Sequence, residues 1–106
     1  MIEYLNHDSF TNTIQEKDVV LADFFADWCG PCHAIHPTLE ELSEEFDGKA
    51  TIAKVNVDQE PGLAAAFKVR SIPTMFFFKN GKLVDSTMGV QTKSTLSKQL
   101  KDLVAA

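Results

Sequence analysis

Cysteine, proline, glycine and tryptophan are all scarce in this chain, long apolar runs are missing, and each shortage removes a class of protein. Two cysteines among 106 residues are too few for a disulfide-stapled scaffold, so the fold has to rest on a hydrophobic core. Four prolines and five glycines exclude a fibrous or low-complexity polymer. No segment approaches the roughly 20 apolar residues that a membrane-spanning helix needs. The start, Met1-Ile2-Glu3-Tyr4-Leu5-Asn6, has no basic region leading into an apolar run, which is how a secretory leader reads. The expectation is therefore a protein without membrane attachment that stays in the cytoplasm. Lys and Arg number 10 against 15 Asp and Glu. They are scattered, so nothing neutralises a row of phosphates and no nucleic-acid partner is expected.

What remains is ordinary globular material, 44% hydrophobic and 24% charged, of a size that suits one domain over residues 1–106. Ile2 to Leu5 reads as a short strand, and Asp8 or Ser9 as the cap of a helix carrying Phe10 and Ile14 on one face. The nearly unbroken apolar run Val19 to Ala26 suits a central strand covered on both sides. From Cys32 onward Ile35, Leu39, Leu42 and Phe46 recur at helical spacing, opposite Glu40, Glu41, Glu44 and Glu45, until Gly48. Pro37 stands inside that helix, where the lost donor predicts a kink.

Residues 50–57 alternate as a further strand, and Pro61 is placed to open a short helix through Leu63, Ala66 and Phe67. Residues 74–78 and 83–87 form two strands across Asn80-Gly81, a strong two-residue hairpin signal. Leu96, Leu100, Leu103 and Val104 mark a last helix, with Lys98 and Lys101 expected near its C-terminal end, where cations suit the dipole. Strand and helix alternate before the closing hairpin and helix, which argues an α/β fold with a mixed sheet and helices on both faces.

The two cysteines stand close together in Cys29-Gly30-Pro31-Cys32. A disulfide closing so short a loop restrains the unfolded chain little, so redox chemistry or metal binding explains the pair better than stapling. Cys29 falls between a strand's C-terminal end and a helix N-terminus, where free backbone donors and the helix dipole favour a thiolate. Cys29 is thus expected to attack a substrate disulfide, and Cys32, one turn in, to resolve the mixed disulfide. Asp23 interrupts the apolar run. Either it turns outward to water, or it is a buried acid kept for a function despite the cost of desolvation.

Cys29, Cys32, His33 and His36 also permit a zinc reading, but so compact a set converges poorly on a tetrahedron. Cys29 to His33 formally satisfies the pattern for c-type haem attachment, which Pro31 and Trp28 fit less well than redox chemistry. Ile72-Pro73 on its own residues simply starts a strand or else marks a special turn.

Taken in order, Ala22-Asp23-Phe24-Phe25-Ala26-Asp27-Trp28-Cys29-Gly30-Pro31-Cys32, Ile72-Pro73-Thr74, Lys79-Asn80-Gly81 and Gly89 resemble the thioredoxin family, over essentially the whole chain. The resemblance implies a thioredoxin fold, a central mixed five-stranded sheet flanked by four helices on both faces. It implies a monomeric protein-disulfide reductant with no bound cofactor or metal, only the redox-active Cys29–Cys32 pair. Asp23 would be the buried acid that relays a proton for Cys32, with Lys54 as its partner. Pro73 would follow a cis peptide bond facing the cysteines, and Trp28, Gly30, Pro31, Ile72, Gly89 and Val90 would line a shallow apolar groove for substrate. The implied partners are an NADPH- or ferredoxin-dependent thioredoxin reductase and oxidised proteins such as ribonucleotide reductase, peroxiredoxin or methionine sulfoxide reductase.

The chain departs from the family pattern at four places. His33 stands where a permanent cation is frequent, Phe25 where a second tryptophan is frequent, Ser71 where glycine often precedes Ile-Pro, and Val90 where a small residue is common. Two rival readings remain, an oxidant or isomerase using the same cysteines, and a binding module in which they are bystanders.

Overall fold

The computed structural model describes all residues, 1–106. Its elements run β1 (Glu3–Tyr4), α1 (His7–Glu16), β2 (Val19–Phe25), α2 (Gly30–Glu45), β3 (Thr51–Asn56), α3 (Pro61–Ala66), β4 (Thr74–Lys79), β5 (Lys82–Met88) and α4 (Lys93–Ala105). The five strands form one sheet in the order β1-β3-β2-β4-β5. β3 pairs in parallel with both β1 and β2, whereas β4 runs antiparallel to β2 and β5. Parallel neighbours need a crossover, and α1 and α2 supply the two that this order requires.

Because side chains alternate along a strand, β2 feeds two cores at once. Val20, Ala22 and Phe24 join Phe10, Ile14, Val55, Leu63, Phe76 and Phe78 on the face covered by α1 and α3. Val19 and Leu21 join Ile35, Leu39, Leu42, Met75, Phe77, Leu96 and Leu100 on the face covered by α2 and α4. Each such aliphatic side chain withdrawn from water contributes roughly 2 kcal/mol. All seven residues of β2 are buried, as a strand sheltered on both faces should be.

The boundaries correct several local expectations. Asn6, not Asp8 or Ser9, caps α1. Its side chain accepts the Ser9 N–H at 2.9 Å while the Ser9 hydroxyl accepts the Asn6 N–H at 2.9 Å. Asp8 falls instead in the first turn, where its charge suits the dipole. α2 begins at Gly30, two residues before Cys32, and continues on both sides of Pro37. It ends at Glu45, before Gly48. α4 runs on to Ala105, so Lys98 and Lys101 lie before its last turn, and Lys98 pairs with Asp102 at 3.0 Å. In the β4–β5 turn Asn80 and Gly81 take φ of 52° and 82°, the left-handed pair that a two-residue hairpin turn demands.

Candidate functional site

The site is assembled where β2 ends and α2 begins. Cys29 occupies the N-cap of α2, and its Sγ accepts the Cys32 N–H at 3.2 Å. One of the helix's free donors is thus aimed at the sulfur that the sequence marks as the attacking one. The two cysteines are joined as a disulfide, with Cα atoms 5.3 Å apart. Both are almost wholly buried, with 4% of Cys29 and 1% of Cys32 exposed.

The other wall comes from the start of β4. Ile72-Pro73 is a cis peptide, and the Ile72 carbonyl oxygen lies 3.7 Å from Cys29 Sγ. Neither Ile72 N–H nor C=O enters a backbone–backbone hydrogen bond, which leaves both free for an extended ligand strand. Gly89 donates its N–H to the Pro73 carbonyl at 2.7 Å with φ of 81°, and Val90, next in the chain, is exposed. Trp28 is 72% exposed and is steadied by its Nε1–H, which donates to Asp58 Oδ2 at 2.9 Å. Gly30 and Pro31 are exposed on the outer turn of α2. Cys29, Cys32, Ile72, Pro73 and Gly89 are therefore brought together from separate elements, with Trp28 and Val90 at the edges.

Asp23 does not turn outward. It is fully buried, and neither carboxylate oxygen has a hydrogen-bond partner. Pairing of β2 with β3 sets it beside Lys54, and pairing with β4 sets it beside Met75. Lys54 Nζ lies 3.8 Å from Asp23 Oδ2, an ion-pair distance too long for a hydrogen bond. Burial pushes the Asp23 carboxyl up to about 7, and the Lys54 charge only partly opposes this. Burial also lowers the Lys54 ammonium below its ordinary value, against the pull of Asp23, Glu40 and Asp27. A buried acid poised near neutrality can take or give a proton under ordinary conditions.

The two histidines of α2 line one cavity but bond to different partners. His33 Nε2 lies 2.6 Å from the Asp27 carbonyl oxygen, and His36 reaches Lys54 and Glu40. No three His, Cys, Asp or Glu side chains converge as a metal would require, so the compact zinc set is not formed. Phe25 lies under the Lys54 ammonium, 4.4 Å from Nζ to the ring centroid, a cation–π contact that helps hold the lysine.

Two contacts were not read from the sequence. Asp58, which anchors Trp28, carries no local signal, since it is one acidic residue in a loop and meets the indole only through the fold. His36, by sequence only a candidate zinc ligand, places its Nδ1 3.0 Å from Lys54 Nζ.

Comparisons with known proteins agree with this geometry. The thioredoxin family profile matches residues 1–102. The chain is 48% identical over 93 residues to the thioredoxin of Staphylococcus saprophyticus, covering 88% of each protein. It is 42% identical over 101 residues to a chloroplastic M-type thioredoxin of Spinacia oleracea, covering 94% of this chain and 56% of that protein's length. A solved mutant thioredoxin from Halobacterium salinarum superposes with a TM-score of 0.91 at 36% identity, over 97% of this chain and 90% of the other. With a five-stranded mixed sheet, four helices and a Cys29–Cys32 disulfide at the head of α2, the chain belongs to the thioredoxin family of thiol–disulfide oxidoreductases.

Proposed function

We propose that residues 1–106 act as one domain and as a general reductant of protein disulfides. The observation that carries the reading is the Cys29–Cys32 disulfide at the N-cap of α2, with, on the adjoining strand, a fully buried Asp23 carboxyl that has no hydrogen bond. Cys29 thiolate attacks one sulfur of the target disulfide, and the target's other sulfur leaves as a thiolate. Asp23 carboxylate takes the Cys32 proton, Cys32 thiolate attacks Cys29 Sγ, and the second target thiolate departs as the internal disulfide forms. Electrons balance, since the target gains the two that the cysteine pair gives up.

Lys54 tempers the Asp23 charge. Trp28, Gly30, Pro31, Ile72, Pro73, Gly89 and Val90 form the groove in which the target lies, with the free Ile72 backbone groups as its hydrogen-bonding edge. The reductant returns to the dithiol form through a separate thioredoxin reductase, dependent on NADPH or ferredoxin, because the chain has no glycine-rich dinucleotide motif. Ribonucleotide reductase, peroxiredoxin and methionine sulfoxide reductase are the target classes proposed, and the cytoplasm the compartment. No helix is long and apolar enough to cross a membrane.

An equilibrium titration of the cysteine pair against a dithiol buffer, followed by the fluorescence of adjacent Trp28, tests the reading. A strongly reducing potential is expected. A potential well above the cytosolic poise would make the protein an oxidant or isomerase instead. In parallel, Cys32→Ser should trap a covalent adduct through Cys29, and failure to trap would reverse the division of labour.

A further inference from the structure

We propose that His36, assisted by Glu40, is the gate through which protons pass between the buried Asp23 carboxyl and solvent, by way of Lys54. This rests on the proton-relay reading of Asp23 above and supplies what that reading lacks, a way for the acid to be recharged.

Asp23 is sealed, with no exposed surface and no hydrogen bond. A carboxyl that takes the Cys32 proton in one turnover must lose it before the next. The charged group nearest to it is Lys54 Nζ at 3.8 Å, and Lys54 itself is only 4% exposed. The lysine's one hydrogen bond goes not to Asp23 but to His36 Nδ1, at 3.0 Å. An ammonium donates and cannot accept, so Nδ1 is the lone-pair nitrogen and Nε2 carries the ring proton. That Nε2 faces Glu40 Oε1 at 3.3 Å, and the His36 and Glu40 side chains are 32% and 61% exposed. Exposure therefore rises stepwise from the carboxyl to the surface. A cavity of about 210 Å³ opens beside the path, lined by Cys32, Lys54 and His36 with Tyr4 and Phe25, and Asp27 and His33 are the other titratable groups that face it.

The transfer balances without a further reactant. Lys54 passes a proton to His36 Nδ1, His36 releases the one on Nε2 to Glu40 or water, and neutral Lys54 then swings from 3.8 Å to hydrogen-bond distance of Asp23 and takes its proton. The ammonium is restored, His36 returns to a neutral ring by tautomer exchange with water, and one proton has left the interior. Imidazole suits this step because one nitrogen accepts as the other donates. The polar partners of His36 are Lys54 and Glu40 and not the sulfurs, so it is a positioning and relay residue.

The test is a pH jump through neutrality on the oxidised protein, with the infrared band of the protonated Asp23 carboxyl followed in dilute buffer and the band assigned by its loss in Asp23→Asn. His36→Ala should slow ionisation of Asp23 by about tenfold, a smaller factor than the ~100-fold lower bound for a direct general base, and dissolved imidazole should restore the rate. Glu40→Gln should slow it less. Ionisation in His36→Ala as fast as in the parent overturns the relay while leaving Asp23 as the acid. A slowed rate that imidazole does not restore makes His36 merely structural and overturns it equally. A parent protein with no carboxyl band changing near neutrality would remove the Asp23 reading itself.

Discussion

The two faces of the sheet share the strand β2 and differ in what they bury. Beneath α1 and α3, Phe10, Phe24, Phe67, Phe76 and Phe78 pack ring edge to ring face or tilted, with centroids 5.2–6.2 Å apart. No buried charged residue lies on that face. Beneath α2 and α4 the core is aliphatic except for Met75, Phe77 and Phe46, and it admits Asp23 and Lys54, the two buried charged residues of the chain. One face stores stability and the other spends some of it on a proton site. A single strand serves both because its side chains alternate, so Phe24 and Asp23 are neighbours in sequence yet point into different cores.

The division can be tested by truncating the aromatic side first. Phe24→Ala removes a fully buried ring and should cost up to about 5 kcal/mol in denaturant unfolding. The redox potential should stay in place, because the dithiol and disulfide forms lose stability alike. A shifted potential at this position would show that the two faces are not independent.

The polar side should respond in the opposite direction. The Asp23 carboxyl is raised from 3.8 to about 7, so between those values the folded state holds a proton that the unfolded chain has released. Its stabilising effect is full below the lower value and is lost as pH rises through the upper one, by about 4 kcal/mol in total. Asp23→Asn should therefore leave stability near pH 4 unchanged and raise it above neutrality by up to that amount, as read from urea midpoints across a pH series. Equal gains at both ends would mean that packing, not ionisation, sets the difference.

Lys54→Met should sharpen the comparison on a finer scale. Removing the one charge that lowers the Asp23 value should push the carboxyl midpoint higher by about one pH unit, equivalent to about 1.4 kcal/mol, measured by carboxyl carbon resonance. A midpoint that falls would mean that the lysine acts by excluding water. The smallest effect belongs to the aromatic side's outer rim. Asn6→Ala removes the α1 cap and should cost about 1 kcal/mol in unfolding free energy, without altering the Asp23 midpoint.

Much of this was legible in the residues. The apolar run of β2, the helical spacing after Cys32, the Asn80-Gly81 turn and the cysteine pair are local patterns, and local patterns follow from backbone periodicity and turn sterics. Element ends were less legible. The Asn6 cap was displaced because serine, not glutamate, closes the box at Ser9, and α4 outlasted its lysines because Leu103 packs against the core beyond them. The site divided in the same way. Cys29, Cys32 and Asp23 stand out by chemistry, whereas Asp58 against Trp28 and His36 against Lys54 are surface-type residues with no pattern of their own.

By itself, then, the sequence determined the chemistry on offer, namely two thiols at the head of a helix and a carboxylate inside an apolar strand. Only the tertiary structure decided which groups meet. Strand register set Lys54 beside Asp23, the fold brought the Ile72 carbonyl to Cys29, and α2 laid His36 over Lys54. The physical reason is that periodicity and propensity act over a few residues. Desolvation and ion pairing act over a few ångströms, and those distances exist only once the chain has closed on itself.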